Sequence, residues 1–162
     1  MTTLRSDSNS FAEFLRKTFL GGLTAGILDA VDAIIAFNIV LGVAPVPIYQ
    51  TIASGIMGNK AYAGGMATAG LGLAIHFLIA FSAAAIYNLA AMQIQFLRKN
   101  FISSGLAFGL GVFVFMNYVV IPLSAIPPSP FSLPLFINGV VGHAVLVGLP
   151  IAYLARGGTG QK

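Results

Sequence analysis

Four ionisable side chains stand inside apolar sequence, where ionised groups are costly: Asp29 and Asp32 between Thr18 and Val43, His76 between Gly65 and Met92, and His143 between Leu133 and Ala155. A carboxylate at the centre of a membrane helix opposes insertion by roughly 2.5 to 3.5 kcal/mol, so ionisable groups there usually mark a proton, ion or ligand site. All four fall near the middle of their apolar runs, which at about 1.5 Å rise per residue puts them at one depth. The aspartates are three apart, on one helical face, and are half of the chain's four carboxylates. Gly22, Gly26, Ala33 and Ala36 share that face, so both carboxylates are expected to point into a helix bundle.

Several chemistries suit this set. Carboxylate and imidazole together match zinc, manganese or iron, so Asp29, Asp32, His76 and His143 are candidate metal ligands, although their spacing fits no metal motif. Two histidines at one depth on different helices also suit the axial positions of a haem. A buried acid beside imidazoles that titrate near neutrality could relay protons. Finally, the polar groups could simply satisfy one another and fix helix register, with Asn117, Asn138, Thr24 and Asn38 adding hydrogen bonds. The cofactor is unknown at this level. A proton or small cation bound or relayed at the cluster is the favoured function, and a structural or accessory subunit of a membrane complex is the alternative.

The elements that carry these residues follow from composition. Of 162 residues, 57% are hydrophobic and 7% charged, against about 25% charged in soluble domains. The mean hydropathy of +0.92 calls for lipid as the solvent. The reading is an all-α membrane protein with spans at Thr18–Val43, Gly65–Met92, Phe101–Ser124 and Leu133–Ala155, within one domain over residues 10–156. Residues 1–9 and 157–162 are expected to be cytoplasmic tails, the first of them mobile. Ser10 to Glu13 reads as a capping box at a helix start, and Ser132 as the cap of the last helix. Residues 48–57 are too short to span and predict an interfacial helix, with Ile48, Ile52 and Ile56 on one face and Gly58 as its C-cap. Pro45 and Pro47 end the first span, Gln93 to Asn100 form a tight polar turn, and Pro127 to Pro134 a stiff connection.

Arg5, Arg16, Lys17, Arg98, Lys99, Arg156 and Lys162 fall at one side of these spans and Lys60 alone at the other, which predicts both termini in the cytoplasm. A cleaved secretory signal is disfavoured by the two aspartates and the absence of a small-x-small site. The net charge of +4 forms no stripe, so nucleic acid is not the expected partner; lipid is. The absence of cysteine excludes disulfides, iron–sulfur ligation and thiol chemistry. Ser82, Ser103 and Ser104 have no base and elbow around them, so no enzyme is expected. Tyr49, Tyr62, Tyr87, Phe96, Phe131, Phe136 and Tyr153 read as interface anchors. Gly22/Gly26 and Gly105/Gly109 read as close-packing positions inside the bundle, in preference to a homodimer seam. A homo-oligomer or larger membrane complex is left open as a partner.

Gly22-Leu-Thr-Ala-Gly26, His76 with Tyr87, Pro122-Leu, Pro127-Pro-Ser-Pro-Phe131-Ser-Leu-Pro134 and Gly142-His143 resemble the YagU-like group of small bacterial inner-membrane proteins. The resemblance implies a multi-span protein of the bacterial inner membrane, with no established biochemical activity in the group. It brings forward His76, His143 and the proline-rich connection. Asp29 and Asp32 are not among the shared positions.

Overall fold

A computed structural model describes Thr2 to Arg156, with side chains from Ser10 onward. No proline or glycine interrupts the chain before Gly21, so helix α1 (Thr2–Leu41) runs unbroken from the polar segment into the apolar one. Ser10 and Glu13 therefore sit inside the helix and not at a capped start. Glu13 instead pairs with Lys17 one turn on, at 2.9 Å. Residues 157–162 lie outside the described residues.

Gly42 takes a positive φ of 67° and closes α1 by donating to Asn38 O at 2.8 Å. Pro45 then opens α2 (Pro45–Met57), three residues earlier than the hydrophobic pattern indicates, because a first-turn proline has no amide to leave unpaired. Gly58, with φ 59°, ends it as expected, and a 3-10 segment (Gly58–Ala63) leads to α3 (Gly65–Gln93). The polar turn is a one-turn helix, α4 (Gln95–Lys99), before α5 (Phe101–Leu123). Helix α6 (Leu133–Ala155) completes the chain. Ser132 holds the N-cap position but makes no side-chain cap bond, since Pro134 removes one of the two amides its hydroxyl would accept from.

Four of these helices, Ser10–Leu41 of α1 and all of α3, α5 and α6, are long and apolar enough to cross a membrane, and no strand occurs among the described residues. Their outer surface exposes large apolar side chains such as Ile39, Leu78 and Leu123, a surface that lipid solvates and water does not. The fold is compatible with a multi-pass integral membrane protein.

Small residues set the packing. A Cβ on Gly22 or Gly26 would strike Phe81 or Phe77, so α1 and α3 cross at these glycines. A side chain on Gly109 would collide with His143 O, and one on Gly148 with Gly105 O, so α5 and α6 meet backbone to backbone. Both paired-glycine stretches thus serve the interior. The core beneath is built from Ala25, Ala84, Ile151 and Ala152 around Tyr87. Tyr87, read as an interface anchor, is only 2% exposed; its hydroxyl donates to Leu97 O at 3.1 Å and its ring meets Phe108 edge-on.

Helix α2 packs on α3 where Gly72 lets the Tyr49 carbonyl approach closely. Gln50 is buried there and donates to Gly65 O at 3.0 Å and Thr68 Oγ1 at 3.3 Å. The isoleucine stripe divides: Ile48 is buried, Ile52 faces a cavity and Ile56 is 71% exposed. Gln50 and Ser54 are buried beside Ile48, Gln50 by bonding to the backbone of α3 and Ser54 by donating to Thr51 O within its own helix at 2.7 Å. Ala125 N donates to Gly55 O at 3.0 Å, tying α2 to the connection between α5 and α6.

Candidate functional site

Helices α5 and α6 each contain a π-helical turn, Met116–Val120 and His143–Gly148. A proline follows each, Pro122 and Pro150, and removes the amide that the carbonyl one turn earlier would accept from, so the preceding turn widens. Such turns are frequent at functional sites. Here they carry Met116 and Asn117 on α5, and His143 and Val147 on α6, onto the wall of one cavity of about 500 Å³.

That cavity lies among α1, α3, α5 and α6, with α2 across one end. Asp29 and His76 also line it. Asp29 bridges the two imidazoles: Oδ2 is 3.9 Å from His76 Nδ1 and Oδ1 is 4.0 Å from His143 Nδ1. His76 Nε2 stands 2.9 Å from Gly26 O, and His143 Nδ1 stands 2.9 Å from Gly139 O. A carbonyl oxygen only accepts, so both of these nitrogens carry hydrogen. His76 is thereby left with Nδ1 as the nitrogen that takes or releases a proton, and this nitrogen faces Asp29. At 3.9 Å, one rotamer adjustment or one water joins them.

Asp32 does not join this group. One turn along α1 it accepts from Asn138 Nδ2 at 2.7 Å, and its Oδ2 lies against Gly142, where a Cβ would come within 2.9 Å. The expected layer of four ionisable groups is thus two arrangements, a cavity cluster of Asp29, His76 and His143 and a closed pair of Asp32 and Asn138. The reason is the antiparallel pairing of α1 with α6, which sets His143 beside Asp29 and Asn138 with Gly142 beside Asp32. Asn117 lines the cavity but donates within its own helix, to Phe113 O at 2.9 Å. Thr24 is exposed, and Asn38 donates to Val43 O at 3.4 Å to help close α1, so neither adds to the cluster.

The arrangement does not assemble the metal set considered from sequence: among the described residues no three His, Cys, Asp or Glu side chains are grouped to hold a metal ion. Nor does it suit a haem, since a carboxylate stands between the rings and His76 Nε2 is committed to Gly26. Tyr49, read as an interface anchor, instead lines the cavity from α2. Burial pushes its phenol above the ordinary range, and the Asp29 charge adds to that. The signals that could have found it are Gly72, which admits α2 to the bundle, and the buried Gln50 one residue on. No family description, curated protein or solved structure matches this chain.

Proposed function

We propose that this is a non-enzymatic bacterial inner-membrane protein, both termini cytoplasmic, whose Asp29–His76–His143 cluster binds and relays a proton. The observation that supports this is a carboxylate on an apolar cavity wall with no Lys or Arg among the lining residues, and with His76 Nδ1 3.9 Å away. Neutral Asp29 with neutral His76, and ionised Asp29 with charged His76, differ only in where one proton sits. Such a pair exchanges protons without creating net charge in the apolar interior. The YagU-like resemblance belongs to this reading through His76 and His143. The cavity reaches Leu41, Val43 and Pro47 at the α2 end, while the Tyr87 and Ile151 core closes the opposite half. Passage across the whole bundle therefore needs a second conformational state or a second copy of the chain.

The test is proton flux into liposomes holding a pH-sensitive dye under an imposed potential. Wild-type protein is expected to conduct, Asp29→Asn to fall to the leak of protein-free vesicles, and Asp32→Asn to conduct. Undiminished flux through Asp29→Asn overturns the reading. The closed Asp32–Asn138 pair supports a narrower structural role, the fixing of α1 against α6.

A further inference from the structure

The cavity is larger than a proton site needs. Its volume of about 500 Å³ falls within the roughly 300–1,000 Å³ of sites that take drug-sized molecules. Its walls come from α1, α2, α3, α5 and α6 and are overwhelmingly apolar, with Phe37 and Tyr49 supplying aromatic surface. A sugar, peptide or nucleotide would bring many polar groups to walls unable to pair them. An anion would meet Asp29 and no Lys or Arg. For a metal ion, no three His, Cys, Asp or Glu side chains are grouped to hold one among the described residues, and His76 Nε2 and His143 Nδ1 are both engaged with backbone carbonyls. What the walls and the lone carboxylate complement together is a hydrophobic organic cation, its bulk against the apolar walls and aromatic rings and its charge at Asp29.

We propose that this cavity binds lipophilic organic monocations, with Asp29 as the shared site of cation and proton; the proposal rests on the reading of Asp29 as a group that exchanges protons. Binding to the protonated site releases that proton: the Asp29 O–H bond breaks, the proton leaves to water, and the carboxylate pairs with the cation. Charge at the site is unchanged by the exchange. The titratable groups facing Asp29 are His76 from α3, His143 from α6 and Tyr49 from α2, while α5 brings only uncharged side chains to the cavity. Acid therefore opposes the cation twice, by protonating Asp29 and by charging the imidazoles beside it. Affinity is expected to fall as pH is lowered, by up to about tenfold per pH unit for each proton displaced.

The experiment is equilibrium dialysis of the purified full-length protein in micelles against tetraphenylphosphonium, with tetraphenylborate as the isosteric anion. Saturable binding of the cation, none of the anion, and weakening in acid are expected. Asp29→Asn should lower affinity by about thirtyfold or more, the usual loss when one partner of a buried charge pair is removed. Ala33→Phe, one turn along α1, narrows the cavity while keeping the Asp29 carboxylate in the chain and should also abolish binding, which keeps the test open if Asp29→Asn misfolds. Equal binding of the anion, or unchanged binding in Asp29→Asn, overturns the proposal and leaves an apolar cavity that takes lipid or detergent. Proton flux without cation binding would sink this inference alone, whereas cation binding with no flux would sink the relay and spare the site.

Discussion

Asp29 and Asp32 have the same side chain, lie one turn apart on the same helix face, and meet different surroundings. Asp32 accepts from Asn138 at 2.7 Å, whereas among the described residues Asp29 has no side-chain partner closer than the 3.9 Å of His76. Their substitutions should differ accordingly. Replacing Asp32 by Leu leaves the Asn138 amide without its acceptor and should cost about 1 kcal/mol in detergent unfolding, the usual size of such bonds between membrane helices. Asp32→Asn keeps an acceptor oxygen and should be close to neutral. Asp29→Leu, by contrast, removes an uncompensated polar group from an apolar wall and should stabilise by about 1 kcal/mol or more while abolishing flux. A destabilised Asp29→Leu would mean that this carboxylate fixes packing. The residue types announced ionisable groups in apolar sequence; which aspartate faces the cavity was not legible, because three-residue spacing puts both on one face and only the neighbouring helix separates them.

At the level of elements, close crossings and widened turns shape the site. Gly105 and Gly109 on α5 meet Gly148 and His143 on α6 with no room for a side chain, so Gly109→Leu must drive the two helices apart. Overpacking of this kind costs typically 1 to 3 kcal/mol and here also shifts His143, so the expected result is a lower unfolding midpoint together with lost cation binding. Gly70→Ala, which faces open space, should be silent in the same assays. The spans and the paired glycines could be read directly, since length, apolarity and four-residue spacing are local properties. The π-helical turns could not be read from periodicity, although Pro122 and Pro150 mark where each must form. The rotation of helix α2 was not legible from its isoleucine stripe, because hydrogen bonds from Gln50 to Gly65 and Thr68 bury a polar position beside Ile48.

For the whole molecule, the alternation of α1, α3, α5 and α6 gathers Lys17, Arg98, Lys99 and Arg156 at one end of the bundle and leaves Lys60 at the other. Because the chain has no cysteine, single substitutions report orientation cleanly. Lys60→Cys should react with a membrane-impermeant maleimide on intact cells, and Arg98→Cys only after permeabilisation; the reverse pattern would invert the proposed topology. Sequence by itself determined the number of long apolar helices, the bounds of all but the first to within one residue, the bias of basic residues and the presence of ionisable groups near mid-helix. These are properties of composition and of one chain's periodicity. Tertiary structure alone decided that α2 crosses one end of a cavity, that Asp29 lies between His76 and His143, and that Asp32 closes on Asn138. Each depends on how far one helix is rotated and slid against another, which is set by glycine contacts and buried hydrogen bonds between segments distant in sequence.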